Sequence, residues 1–164
     1  MIQVELRQEL QDYTQSVRLW RRQWIDKSVE LPPLKWERVR FNEDSKVSVP
    51  DTPGLYAFFI EPELANFPNH AYLMYIGKAG DKSKNTLRKR FMQYFQDKKR
   101  FDAARPKINK LLNNWDGYLY FYFHEITDPS TDIAKLEKLL LDTFLPSCNK
   151  NGFSVWISTI LNAL

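Results

Sequence analysis

Residues 73–80 read LMYIGKAG, and the reading of that stretch decides the fold. Apolar residues run into a tyrosine, a glycine opens the backbone, and a lysine and a second glycine follow. A strand that only had to pack has no use for a phenol, a bare backbone and an ammonium at its end. Around it, AYLMYIGKA (71–79) is rich in β-formers, as is GLYAFFI (54–60) before it. The segment between them, EPELANFPNH, carries Pro62 and Pro68. The two runs therefore read as a hairpin-like pair joined by a long loop.

Downstream, Lys84 to about Gln96 has helical character, and a second helix is expected over Ala103–Asn114, with Pro106 in its first turn. After the turn signal WDG comes YLYFYFHEI (118–126). Alternation there puts Tyr118, Tyr120, Tyr122 and His124 on one face and Leu119, Phe121 and Phe123 on the other. Asp132 caps a helix running to about Phe144, and Pro146 stops the chain from continuing it. The order β-β-α-α-β-α describes an α+β domain with a small antiparallel sheet.

Upstream, Ile2, Leu6, Leu10, Tyr13, Val17, Trp20 and Trp24 recur at steps of three and four, which predicts one amphipathic helix from residue 2 to about 28, ended by Pro32 and Pro33. Trp36–Phe41 has the composition of a short strand, and VSVPDTPG marks a boundary. In the tail, Val155, Trp156, Ile160 and Leu164 have helix-like spacing. The chain thus divides into a helical extension and connector (1–49), a central domain (50–151) and a C-terminal packing helix (152–164).

At 164 residues, 43% of them hydrophobic, the chain is long enough to bury a core as one domain. No apolar run approaches the ~18 residues of a membrane span, and the acidic N-terminus MIQVELRQELQDY is unlike a secretory signal. A single cysteine, Cys148, leaves no internal disulfide, so a reducing, cytoplasmic setting is expected. The net charge of +4 is unevenly spread: Ile76–Lys110 holds 12 Lys/Arg against three acids, a local balance of +9, leaving −5 for the remainder. Such a block points to a polyanion partner, or else to a solvated helix face.

Glu137 is the most informative single residue. It lies four residues after Ile133 and three before Leu140, on the apolar stripe of its helix. A carboxylate there must be paired, protonated or bound to a cation. It is either an ion-pair partner of a Lys or Arg, or a ligand for a hard divalent ion, which needs only one or two protein carboxylates. In LRKRFMQYF, Leu87, Phe91 and Tyr94 face the core and free Arg88, Lys89 and Arg90 to reach outward. A guanidinium fork matches two phosphate oxygens. Tyr75 and Lys78 would complete such a site, because a neighbouring ammonium or metal favours the phenolate. His70 and His124 are too isolated to form a metal pair.

These residues, in this order, resemble the GIY-YIG nuclease family. GLY at 54–56 stands for the first triplet and YIG at 75–77 for the second, while VPDTPGLYAF and YIGKA are similar to the nuclease domain of the bacterial excision-repair incision subunit. Arg90 to Tyr94 matches the family's arginine pattern, Glu137 falls in its glutamate helix, and FLPSCN ends on Asn149, 12 residues beyond Glu137. Two spacings depart from the pattern: Tyr56 and Tyr75 are 19 residues apart, and GDKSKN lengthens the approach to Arg90, so that Arg88 stands as its alternative.

The resemblance implies a three-stranded antiparallel sheet flanked by helices, and metal-dependent hydrolysis of DNA phosphodiesters. In that reading Glu137 holds one Mg²⁺ or Mn²⁺, and Arg90, helped by Lys78, stabilises transition-state charge. Tyr56 or Tyr75 orients or deprotonates the attacking water, and Asn149 ties its loop to the site. Lys82, Lys84, Arg88, Lys89, Lys98, Lys99 and Arg100 are the expected backbone contacts. With no separate DNA-recognition motif in view, cutting is expected to be structure-selective or weakly sequence-specific. The terminal helices could serve a homodimer. The alternative is a non-catalytic nucleic-acid-binding module using the same fold and basic patch.

Overall fold

Strand pairing starts where the two triplets meet. In the computed structural model, which describes residues 2–81, 83–100 and 105–163, β2 (Gly54–Ile60) and β3 (Tyr72–Ala79) pair antiparallel with Tyr56 opposite Gly77 and Phe58 opposite Tyr75. β4 (Leu119–Glu125) pairs with the other side of β2, placing Phe123 opposite Tyr56 and Phe121 opposite Phe58. β1 (Glu37–Arg40) then pairs with β4. The sheet therefore has four strands in the order β1-β4-β2-β3, all antiparallel, and not the three expected. The fourth strand comes from the 1–49 segment. Its short ERVR run gives little apolar signal, but it covers β4 with a full set of backbone partners and anchors Arg38 to Glu61 and Arg40 to Glu63 (2.7 Å).

Besides the sheet, the described residues form six α-helices and one 3-10 helix (Glu43–Ser48). The N-terminal helix expected as one piece is two, α1 (Ile2–Tyr13) and α2 (Arg21–Ser28). The break falls in TQSVRL, where Thr, Ser and Val weaken the helix and the Thr14 hydroxyl donates back to the Leu10 carbonyl. As a result Leu6, Leu10 and Tyr13 stay more than half exposed. α3 (Leu87–Lys99) begins after Thr86, which caps the Lys89 amide, and α4 (Pro106–Asn114) starts at its proline. The expected start of that helix, at Ala103, lies outside the described residues, as does Leu164. α5 (Ile133–Phe144) is capped by Asp132 at Lys135 and ends on Leu145 in the left-handed region. α6 (Val155–Ala163) closes the order. No described helix is long and apolar enough to cross a membrane.

The alternation of β2 and β4 divides the core into two layers. Tyr56, Phe58, Phe121 and Phe123 pack against Leu87, Phe91, Tyr94 and Phe95 of α3 and Ile108, Leu111 and Leu112 of α4. Leu55, Ala57 and Ile76 pack on the opposite face against Ile133, Leu140 and Leu141 of α5 and Ile157 of α6. Between Phe58 and Phe59 the pairing slips, so that Met74 of β3 bulges out of register. A bulge of this kind re-aims side chains, and here Met74 and Tyr75 both join the layer facing α3 and α4.

Gly77 has a specific reason to be bare. A Cβ added there would lie 2.5 Å from both Cζ and the hydroxyl of Tyr56, whose ring crosses the strand at that point. That ring cannot swing away, because it is stacked on Phe121 (5.3 Å between centroids) and only 3% exposed. Gly77→Ala should therefore lose about 1–3 kcal/mol of stability through overpacking, read as a lower denaturant midpoint. In the Tyr56→Ala background the same substitution should cost less. Equal costs in the two backgrounds would show that the ring is not what excludes the methyl.

Candidate active site

β3 is an edge strand, and its open edge is not left to water. The loop after α5 runs along it: the Cys148 amide donates to the Met74 carbonyl (2.9 Å), and Asn149 clasps Ile76 from both ends. Its Oδ1 accepts from the Ile76 amide (3.0 Å) while its Nδ2 donates to the Ile76 carbonyl (2.8 Å). Asn149 is buried, and its amide reproduces what a neighbouring strand would offer. The bulge at Met74 supplies one carbonyl and Ile76 the other, so the loop stands beside Tyr75.

Two groups of predicted residues gather around this edge. On the α5 side, Glu137 Oε2 lies 3.2 Å from Lys78 Nζ, and Asp81 Oδ2 lies 3.2 Å from the same nitrogen. Of the two partners foreseen for the buried-stripe carboxylate, an ion-pair lysine is thus present. Burial pulls the Lys78 ammonium down, but hydrogen bonds and charge from Glu137 and Asp81 outweigh it, and the net shift is upward from the ordinary lysine value. Lys78 is a fixed positive charge at neutral pH. Glu137 Oε1 accepts no hydrogen bond among the described residues, and the side chain remains partly open to solvent.

On the α3–α4 side, the Tyr56 hydroxyl lies 2.9 Å from that of Tyr94, and Arg105 Nη2 donates to Tyr94 (3.2 Å). The Tyr75 ring lies 6.2 Å from both phenol rings. Burial first, then the neighbouring phenols Tyr94 and Tyr75, push the Tyr56 hydroxyl well above its ordinary value, with Arg90 pulling weakly the other way. Tyr56 is therefore a neutral, enclosed phenol, whereas Tyr75 faces a cavity of about 280 Å³ together with Arg105, Lys107, Cys148, Asn149 and Lys150. Arg90 sits one turn before Tyr94 on α3. It donates to Gln93 (3.0 Å), and its Nε is buried without a partner. Arg90 and Glu137 form no ion pair among the described residues.

The expected backbone contacts divide. Arg88 is committed to the Val49 carbonyl (2.7 Å) and fastens α3 to the preceding loop. Lys98 pairs with Asp116 (2.8 Å) and Lys99 with Glu43 (3.5 Å). Lys89 donates to the Lys84 carbonyl (3.2 Å), and Lys84, Lys89 and Arg100 are exposed. Lys82 lies outside the described residues. Arg105, Lys107 and Lys150 were not singled out from sequence. Their only signal was the local basic excess and proximity to Asn149, and it takes the fold of the 148–150 loop against α4 to bring them to Tyr75. His124 bonds through Nδ1 to the Lys35 carbonyl (2.9 Å), and Cys148 is buried.

A divalent ion has a definite place to be tested. Glu137 and Asp81 converge on one cation, the Lys78 ammonium, and one or two carboxylates suffice for a Mg²⁺ completed by water and phosphate oxygens. No cluster of three or more potential His, Cys, Asp or Glu ligands occurs among the described residues. The donor set fits an ion that keeps most of its water, not a closed cage. In comparisons with protein-family models, curated proteins and solved structures, nothing matches this chain.

The phenol cluster has a pH signature. Tyr56 and Tyr94 are both raised from 10.0, chiefly by burial, so above about pH 10 the unfolded chain releases protons that the folded chain keeps. Stability from this source is fully present below pH 10 and is lost as pH rises above it. The denaturant midpoint should fall above pH 10, and less steeply when Tyr56→Phe and Tyr94→Phe are combined. An equally steep fall in that double variant would place the linkage elsewhere.

Proposed function

We propose that the chain is a metal-dependent endonuclease of GIY-YIG type that hydrolyses DNA phosphodiesters. The observation that carries this reading is the convergence of Glu137 and Asp81 on Lys78, three residues along the strand from Tyr75, which lines an open cavity. Carboxylate, ammonium and phenol then flank one strand edge that the Asn149 clasp holds in place. A bound Mg²⁺ or Mn²⁺ would supply Lewis-acid stabilisation to the phosphate, with Glu137 and Asp81 as the residues to hold it. Lys78, charged throughout the neutral range, fixes the Glu137 carboxylate and adds positive charge without moving a proton.

Tyr75 is the phenol placed to orient the attacking water, since it lines an open cavity while Tyr56 is fully enclosed. Arg90 keeps an unsatisfied Nε and offers a guanidinium to phosphate oxygens. Tyr56 and Tyr94 act as supports that hold the β3 backbone and Arg105 in place. The non-catalytic binding module is favoured by one observation of its own: Lys78 already satisfies one oxygen of Glu137, so the carboxylate needs no metal to be buried.

Labelled supercoiled, linear, single-stranded and branched DNA incubated with Mg²⁺, Mn²⁺ or EDTA separates these readings. Wild type should cut only with metal, with branched DNA or no particular sequence preferred. Glu137→Ala should lose about 10²–10³ in rate, and Tyr75→Phe about 10²–10⁴, while both keep binding DNA. Binding without cutting under either metal, unchanged in Glu137→Ala, would leave the binding module.

A further inference from the structure

A second cavity lies next to the one at Tyr75 and shares a wall with it. It measures about 390 Å³ and is formed where the α1–α2 connection meets α4 and the loop after α5. Arg18, Lys107 and Lys110 line it, and no acidic side chain among the described residues does. Lys107 lines both cavities. Neither lysine forms an ion pair among the described residues: Lys107 Nζ donates to the Ser147 carbonyl (3.1 Å) and Lys110 Nζ to the Gln11 carbonyl, neutral acceptors that orient an ammonium. Arg18 is exposed and forms no ion pair among the described residues.

The polar atoms in the wall favour the same kind of occupant. Gln15 Nε2, from a lining residue, is buried without a hydrogen-bond partner. An amide nitrogen can only donate, and guanidinium and ammonium groups can only donate. A cavity with three cations and, among the described residues, no carboxylate selects an anion with several acceptor oxygens.

We propose that this cavity is a phosphate-binding subsite for the DNA strand, placed by the N-terminal extension beside the cleavage site and continuous with it through Lys107. It rests on the reading of the chain as a DNA-cleaving protein, and it assigns the α1–α2 break a purpose. A continuous helix would carry residues 14–18 along one axis, whereas the break turns Gln15 and Arg18 to the cavity. The strand outside the scissile bond is gripped here through its backbone, without reading bases.

Salt dependence of binding tests it. Anisotropy of a labelled duplex and of its single strand, in EDTA so that nothing is cut, gives log K against log salt for wild type, Arg18→Gln, the Arg18→Gln/Lys110→Gln double variant, and Lys46→Gln on the 3-10 helix. Each phosphate contact contributes about 0.9 to the slope. The slope should fall by about one for Arg18→Gln and about two for the double variant, and stay unchanged for Lys46→Gln. Circular dichroism of each variant checks folding, and if Lys110→Gln disturbs the packing of α1, Arg18→Gln alone decides.

A slope unchanged in Arg18→Gln, or lowered equally by Lys46→Gln, overturns the subsite. Inorganic phosphate at matched ionic strength forms the other arm. If it shifts the Gln15 side-chain amide resonances while DNA affinity ignores Arg18, the cavity takes free phosphate and the strand assignment falls. Cutting by wild type with an unaltered slope defeats the subsite alone. Binding with the expected slopes but no cutting under any metal defeats the nuclease reading alone.

Discussion

The crossing of the Tyr56 ring over the bare backbone of Gly77 is the contact through which the other layers are arranged. The antiparallel register sets these two residues opposite each other, and the ring fills the space a methyl would occupy. From there it stacks on Phe121 of β4 and meets Tyr94 of α3, which in turn engages Arg105 at the entrance to α4. One aromatic side chain therefore links three strands and two helices. A phenol so placed is disqualified from proton transfer by the burial that makes it useful for packing. Its hydroxyl is satisfied by another hydroxyl, and ionising it would place a poorly compensated charge in the core.

The consequence is a division of labour within a single strand. β3 sends Gly77 inward to receive Tyr56, and keeps Tyr75 and Lys78 near its free edge. Edge strands are normally a liability because their amide and carbonyl groups invite other chains. Here the Cys148–Asn149 loop takes those groups, and Asn149 imitates a strand at Ile76 with a single amide. That clasp also explains why a polar residue is buried after a proline-terminated helix. Without it, the carbonyl and amide of Ile76 would lose their partners, and the phenol and the ammonium would flank an unsupported edge.

Much of this was readable in the residues, and what was not has a physical cause. The tyrosine alternation of β4, the cap at Asp132, the proline in the first turn of α4, and the position of Glu137 on an apolar stripe are local signals that tertiary packing had no reason to override. The N-terminal stripe misled because periodicity alone ignores the helix-weakening cluster at Thr14–Val17. Trp36–Phe41 has the composition of a short strand, but its place beside β4 depends on a partner some 80 residues away, and no local pattern carries that. The same limit applies to the site. Lys78 and Glu137 were each visible, whereas Arg105, Lys107 and Lys150 become neighbours of Tyr75 only once α4 and the 148–150 loop have folded together.

Charge placement, more than net charge, separates the cations that can serve a polyanion from those that hold the fold. Lys98 and Lys99, from the densest basic run, face Asp116 and Glu43, and Arg88 is spent on a carbonyl. Exposed pairs of this sort are worth only about 0–1 kcal/mol, so a phosphate could replace an acid there at little cost, but nothing concentrates the field. Lys107 and Lys110 differ because neutral carbonyls orient them and no acid among the described residues lines their cavity. A concave, acid-free wall focuses positive potential where a convex helix face disperses it. The 76–110 excess is therefore better understood as two populations, and the smaller one, joined by Arg18 from the extension, reaches the cavity at Tyr75 through Lys107.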